Sequence, residues 1–282
     1  MTKSTRTSVK SSTPIKSGSK SSMDAKKIET MKAAGAILGE VLESLLRYVK
    51  PGVSEIEIDQ LAEKLIRARG AEPGFKKVPS YKHTICISTN DVVVHGVPTK
   101  KVLKEGDIVG IDCGVFLDGY HTDMAETLRV STIDNRQLTI DQKKIDKFLE
   151  TGKRALFAGI KEARVGNRVG HISRAIQTVI ESAGYSVVRS LVGHGVGREL
   201  HEAPEIPGYL STSIGQTPIL KSGMTIAIEA IYNMGKHNVV YTRGDDWTIA
   251  TEDGSLSGLF ERTVLITEKD PELLTYLEGE MI

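Results

Sequence analysis

The chain has 282 residues, a formal net charge of +1 and a charged fraction of 26%, values that are typical of a globular enzyme. Only two cysteines occur, Cys86 and Cys113, which argues against a disulfide framework and for a reducing compartment. No segment is long and apolar enough to span a membrane, and the first residues lack the apolar core of a signal peptide. We therefore expect a cytoplasmic monomer that contacts no membrane.

The first 22 residues form a basic segment that is rich in serine and lysine. They contain five Lys or Arg residues and no Asp or Glu. Such a segment cannot bury enough apolar surface to become ordered, so we interpret it as a disordered, solvated tail. Weak contact with RNA or the ribosome is the alternative. Residues 23–282 are then expected to form a single domain.

Four helices are predicted from apolar residues that recur at helical spacing. Ser54 and Glu57 form the signature of a capping box at the start of the second helix, and glycine closes the second and the fourth. The predicted ranges are 23–48, 54–70, 140–163 and 169–183.

Strands are predicted between and after these helices. Their ranges are 84–88, 92–94, 107–116, 120–130, 225–231, 247–251 and 261–267. A weak internal repeat accompanies them, because Gly52 and Gly166, and likewise Gly70 and Gly184, are 114 residues apart. Helices followed by antiparallel strands, twice over, predict an α+β fold of two similar halves.

The predicted hairpin places two aspartates on one face of the sheet. If Asp118-Gly119 is a two-residue turn, Gly114 lies opposite Asp123, and Asp112 lies two residues further along the same strand. Diagonal neighbours of this kind are about 7–8 Å apart at the backbone, so both carboxylates can reach one metal pair. A lone Asp in a hairpin is usually a surface residue, but two on one face between apolar neighbours indicate a function.

Three further residues sit in contexts that would turn their side chains inward. His194 lies among three glycines, which let the backbone approach a metal or substrate closely, although a lone histidine is more often structural. Glu229 is the one carboxylate in an apolar run, where burial without partners costs free energy. Glu261 is similar, although a structural salt bridge to the adjacent Arg262 is the alternative.

Four carboxylates in one pocket repel each other strongly unless divalent cations neutralise them. The sequence therefore predicts a hydrolytic site with two metal ions, held by Asp112, Asp123, His194, Glu229 and Glu261.

Several short motifs follow each other along the chain in a recognisable order. They are VVHGVP at 93–98, IDCG at 111–114, HTD at 121–123, GHGVG at 193–197 with HE at 201–202, AIE at 227–229 and FERT at 260–263. Together they resemble the methionine aminopeptidases of metallopeptidase family M24, over residues 23–268. The short spacing from His201 to Glu229 resembles the type I enzymes. The resemblance implies the pita-bread fold, in which two pseudo-symmetric halves surround an antiparallel sheet with helices outside.

The resemblance also implies metal roles for the five ligands. Asp112 would chelate one ion, and Asp123 and Glu261 would bridge both. His194 and Glu229 would complete the shell of the other ion. The two divalent ions would be Co, Mn, Fe or Zn, since a carboxylate-rich shell accepts any of these.

The implied substrate is the N-terminal methionine of nascent polypeptides. His95 and His201 would contact it, and with Glu229 they would form the catalytic group. The pocket for the methionine side chain would be lined by Tyr81, Cys86, Leu200 and Trp247.

A few residues depart from the family pattern and affect the predicted specificity. Ala230 replaces a proline that commonly follows the glutamate ligand, Leu259 and Arg262 flank Glu261 where Gln or His is more common, and Leu200 occupies an often aromatic position. Two alternatives therefore stay open at this point. One is a peptidase of the same fold that cleaves Xaa-Pro bonds, and the other is a non-catalytic module that binds peptides.

Overall fold

Four helices form where the apolar periodicity predicts them. A computed structural model describes residues 18–132, 139–242 and 244–280. The first helix begins at Gly18, earlier than predicted, because neither proline nor glycine interrupts residues 19–34. Residues 1–17 of the predicted tail lie outside the described residues. The helices are α1 Gly18–Tyr48, α2 Glu55–Ala68, α3 Ile140–Lys161 and α4 Val169–Ser182.

The strands are more numerous than the sequence predicts, because several short ones carry no alternation of their own. The described residues form β1 Glu72–Pro73, β2 Ile85–Thr89, β3 Val92–Val94, β4 Ile108–Leu117, β5 Tyr120–Arg129, β6 Ser186–Val187, β7 Val192–Gly195, β8 Glu202–Pro207, β9 Thr225–Asn233, β10 Val239–Tyr241, β11 Ile249–Thr251, β12 Ser257–Leu265 and β13 Glu272–Leu273.

A large antiparallel sheet organises the molecule, with the strand order β1-β4-β5-β12-β9-β7-β8. β2 pairs with β4, β6 with β9, and β13 with β12, while β10, β11 and β3 form a second, small sheet. The helices pack on one face of the large sheet, α1 and α2 over one apolar core and α3 and α4 over another. The small sheet packs on the opposite face through a third apolar cluster. The layers match the α+β prediction.

The internal repeat predicted from the glycine spacing is present in the structure. α2 and α4 each contain 14 residues, and they follow Gly52 and Gly166, which adopt φ values of 92° and 86°. Left-handed φ values of this kind favour glycine. β4 with β5 and β9 with β12 are the corresponding strand pairs. They meet at the centre of the sheet, where β5 lies beside β12.

Candidate metal centre and its pocket

Strand register brings the five predicted metal ligands to one face of the large sheet. Gly114 pairs with Asp123 and Asp112 pairs with Ala125, as the hairpin prediction requires. The turn residues Asp118 and Gly119 have φ values of 45° and 89°, which suits a two-residue hairpin turn. The predicted register of the two aspartates is therefore confirmed.

The second half supplies its ligands at matching positions. Glu261 pairs with both Ala125 and Glu229, and His194 pairs with Ala227, two residues from Glu229. Directly paired residues, and residues two positions along a strand, project from the same face. All five side chains therefore share one face, opposite the helices. The methyl side chains of the two alanines leave space between them.

Distances within the cluster are short enough for shared metal ions. Ligand atoms of Asp123, His194 and Glu261 all lie within 4.8 Å of one another. The Nε2 atom of His194 is 3.9 Å from an oxygen of Glu229 and equally far from one of Glu261. His194 Nδ1 is 2.9 Å from the carbonyl oxygen of Gly195, which fixes Nδ1 as the donor and leaves the Nε2 lone pair free for a cation.

The electrostatics of the cluster favour a cation. Burial raises the pKa of Asp112 to about 7, and burial together with the charge of Asp112 raises that of Glu229 to about 8. Burial, followed by the neighbouring carboxylates, also raises the pKa values of Asp123 and Glu261. Asp112 Oδ1 and Glu261 Oε1 are buried without a hydrogen-bond partner. Such acceptors need a compensating charge, and a carboxylate-rich set with one imidazole fits divalent ions.

Arg262 does not form the salt bridge that the sequence left open for Glu261. Its guanidinium lies on the helix side of the sheet and binds the carboxylates of Glu126 and Glu280. It contacts Glu261 only by donating to the main-chain carbonyl oxygen. The carboxylate of Glu261 therefore remains available on the other face. Ala230 also points toward the helices and is fully buried there, so its departure from the family pattern does not touch the ligands.

The two predicted substrate-contacting histidines lie beside the ligands. His95 adopts a φ of 55°. The next residue, Gly96, has no room for a side chain, because an added Cβ would lie 2.0 Å from the carbonyl oxygen of Ile87. This tight corner aims His95 into the cavity. The His201 ring, at the exposed rim, packs edge-on at 4.3 Å from the ring of His194. Burial, followed by the neighbouring His201, lowers the pKa of His95, so this imidazole is neutral at pH 7.

An apolar pocket opens directly onto the ligand cluster. It encloses about 180 Å³, and its lining includes the ligands, both histidines and the predicted residues Tyr81, Cys86, Leu200 and Trp247. The rings of Tyr81 and Trp247 pack edge to face at 5.1 Å, and the Tyr81 hydroxyl donates to the carbonyl oxygen of Ile85. Cys86 is a buried free thiol. The structure therefore brings together every residue predicted for this site.

Seven apolar wall residues were missed by sequence reasoning: Phe75, Val78, Val94, Leu191, Val192, Ile231 and Leu259. Phe75 and Val78 line the pocket from a short 3-10 turn, Phe75–Lys77, and the residue that follows it. No periodicity marks this segment. Gly114 could have indicated it, because a Cβ there would lie 2.7 Å from the Phe75 ring.

Comparison with known proteins agrees with this site. Residues 29–268 match metallopeptidase family M24. A methionine aminopeptidase of Clostridium perfringens is 43% identical over 251 residues, which cover 89% of this chain and 96% of that protein. The crystal structure of methionine aminopeptidase from Rickettsia prowazekii superposes with a TM-score of 0.83 at 34% identity and covers 89% of this chain and 98% of that one. A prolidase from Pyrococcus furiosus shares the fold at 27% identity and a TM-score of 0.67, with 64% of its own length covered. The resemblance found in the motifs and the pita-bread fold are confirmed, and the chain belongs to metallopeptidase family M24.

Proposed function

We propose that this chain is a methionine aminopeptidase that removes the N-terminal methionine from nascent polypeptides. The observation that carries the proposal is the shared cavity, in which a carboxylate-rich cluster meets an apolar pocket. The pocket suits one unbranched apolar side chain, and the cluster suits hydrolysis of the bond beside it. The 43% identity to a named methionine aminopeptidase supports the same assignment.

We propose that two divalent metal ions are the cofactors. These ions would be held by Asp112, Asp123, His194, Glu229 and Glu261. The orphaned oxygens of Asp112 and Glu261 support this assignment. When bound, the ions supply Lewis acidity and lower the pKa of an attacking water toward neutrality.

The chain's own residues then move protons and stabilise charge. Glu229 takes a proton from the attacking water and passes it toward the leaving nitrogen, with His95 beside that path. His201, at the rim and next to His194, donates a hydrogen bond to the oxygen of the first carbonyl as negative charge develops there. The phenyl, indole and aliphatic walls exclude water from the reacting bond.

Cleavage of a short peptide panel tests the proposal. Purified, metallated protein should release methionine from Met-Ala-Ser and leave an Ala-Pro peptide intact, whereas the reverse preference would favour an Xaa-Pro peptidase. Asp112→Asn and Glu261→Gln should abolish cleavage. Asp118→Asn is the matched control, because Asp118 lies at the turn of the same hairpin and asparagine tolerates its φ of 45°. Near-normal turnover by either ligand variant would refute the assignment.

The remaining expectations concern context. In the described part of the chain, no helix is long and apolar enough to cross a membrane. We propose that the protein acts in the cytoplasm as a monomer and that residues 23–282 form one catalytic domain. For the basic tail, contact with the ribosome stays the alternative to a solvated segment. These follow from the composition of the chain and from its resemblance to enzymes of nascent-chain processing.

A further inference from the structure

The two halves of the large sheet meet along a seam between β5 and β12. β12 pairs with β9 along its whole length, Ser257–Leu265. Among the described residues, its pairing with β5 is confined to Glu261 with Ala125 and Arg262 with Met124. Backbone pairing across this seam is therefore short.

The metal ligands lie on both sides of the seam. Asp112 and Asp123 come from β4 and β5 on one side, and Glu229 and Glu261 come from β9 and β12 on the other. An ion that is shared by carboxylates of both sides needs a fixed separation between β5 and β12. Whatever holds the seam therefore sets the geometry of the ligand cluster.

Two threonines bridge the seam on the ligand side. The Thr127 hydroxyl accepts from the Leu259 N–H at 3.0 Å and donates to the Leu259 carbonyl oxygen at 2.6 Å. The Thr263 hydroxyl does the same with Asp123, at 2.9 and 2.8 Å. Each hydroxyl lies where a direct backbone hydrogen bond between β5 and β12 would otherwise form. Threonine side chains therefore replace the backbone hydrogen bonds on both sides of the pair formed by Ala125 and Glu261.

Arg262 holds the centre of the seam from the helix side. Its Nη1 donates to the carbonyl oxygen of Ala125 at 2.9 Å and to that of Glu261 at 2.8 Å. These two carbonyls belong to the paired residues at the centre of the seam. One guanidinium nitrogen thus ties β5 to β12 directly behind the carboxylate of Glu261.

The guanidinium is itself fixed by two carboxylates. Arg262 is fully buried, and its Nη2 donates to Glu126 at 2.6 Å and to Glu280 at 2.7 Å. Its Nε also donates to Glu280, at 2.9 Å, so this pair is a two-point fork. Glu280 belongs to the segment after β13, which thereby reaches back to the seam. Lys153 neutralises the same two carboxylates from a half-exposed position.

Burying a guanidinium and two carboxylates is a poor way to gain stability. Well-packed apolar residues in place of a buried ion network are often neutral or stabilising. What the network provides here is orientation, because the planar fork fixes the guanidinium against two particular carbonyls. Both carbonyls lie on the strands that carry metal ligands.

We propose that Arg262 is a positioning residue that sets the separation of β5 and β12, and so of the ligands from the two halves, with Glu280 orienting its guanidinium. The proposal rests on the proposed metal site. Side chains that support metal ligands typically change metal affinity by about 10–100-fold when they are mutated.

Cobalt titration of the full-length apoprotein tests this role without using activity. Arg262→Met should weaken Co²⁺ binding by about 10–100-fold and alter the visible absorption of the bound ion. Arg262→Lys should resemble it, because an ammonium cannot bind both carbonyls and both carboxylates in one plane. Glu280→Gln should shift affinity and spectrum in the same direction by a smaller factor.

Two controls separate positioning from stability. Lys153→Met removes a cation that touches the same carboxylates but no carbonyl of a ligand strand. Leu156→Ala, at a fully buried position of α3, lowers the unfolding temperature but removes none of the hydrogen bonds that hold the seam. Both should keep the parent Co²⁺ affinity and spectrum. The proposal is overturned if Arg262→Met also keeps both while losing only thermal stability.

If Arg262→Met does not fold, Glu280→Gln decides, and an unchanged affinity and spectrum in that variant overturn the proposal. The outcome stays separate from the metal-site proposal, since Asp112→Asn is titrated in parallel. Unchanged Co²⁺ binding by Asp112→Asn would refute the metal site itself, whatever Arg262 does.

Discussion

The two halves of the sheet have the same architecture but different chemistry. Ala125 and Glu261 face each other at the centre of the sheet. A local twofold axis between them relates each residue of β5 to the residue of β12 that lies 136 positions later in the chain. The same axis relates Asp112 to Glu229, since these pair with Ala125 and Glu261 respectively. Thr127 and Thr263, the two hydroxyl bridges, are related in the same way.

The exceptions to this symmetry define the site. Asp123 corresponds to Leu259, and Ala125 corresponds to Glu261. Asp123 is a predicted ligand, whereas Leu259 lines the apolar part of the cavity. The two strand pairs thus present equivalent positions to the cavity. Leucine at one of them lines its apolar part, whereas Asp123 at the other belongs to the carboxylate cluster.

The largest effect is expected from Glu229, which corresponds to Asp112 and is also the proposed proton acceptor. Glu229→Gln should lower kcat on Met-Ala-Ser by about 10²–10⁴-fold, the usual contribution of a general base. Steady-state kinetics of the metallated variant measure this. Glu205→Gln, an exposed position on β8, is the control and should match the parent. A kcat within a few fold of the parent would contradict both the proposed proton transfer by Glu229 and its proposed role as a metal ligand.

The wall position is expected to have a smaller effect on specificity. Leu259→Ala enlarges the pocket, so the ratio of kcat/KM for Met-Ala-Ser to that for Ala-Ala-Ser should fall about tenfold, within the range for lost apolar contacts. Leu265→Ala is the matched control, because this buried leucine of β12 does not line the cavity. An equal fall in both variants would indicate a general loss of packing instead.

Local patterns were enough to predict which residues meet in the cavity, whereas the long-range contacts of Arg262 could not be predicted from them. Asp118-Gly119 determined the register of Asp112 and Asp123 because a two-residue turn leaves one pairing. Nothing local links Arg262 to Glu126 or Glu280, which are distant in sequence, so the sequence suggested the adjacent Glu261 as partner. The wall from Phe75 was missed because an irregular turn has no period.

Metal binding should release protons, because the equivalent residues Asp112 and Glu229 have pKa values raised to about 7 and about 8. A raised pKa means that these carboxyls hold protons at pH 6.5 and have lost them by pH 9. Cations bind the deprotonated carboxylates. The number of protons released on metal binding should therefore be larger at pH 6.5 than at pH 9, and the apparent metal affinity should be lower. Calorimetry in two buffers of different ionisation enthalpy measures the released protons. Asp112→Asn should release fewer, and equal release at both pH values would contradict the prediction.

The smallest effect concerns the segment that reaches the seam. Burial alone would raise the pKa of Glu280, but the hydrogen bond and charge of Arg262 outweigh it and lower the pKa to about 2 from an ordinary 4.5. A lowered folded-state pKa stabilises the fold above pH 4.5, and this contribution is lost as the pH falls toward 2. Glu280→Gln should therefore lower the free energy of unfolding by about 1–3 kcal/mol at pH 7. The difference in free energy of unfolding between Glu280→Gln and the parent, measured by urea denaturation, should be smaller at pH 3 than at pH 7. Glu278→Gln, exposed in the same segment, should lie on the parent curve at both pH values. A gap that stayed constant with pH would mean that Glu280 contributes through packing and not through its charge on Arg262.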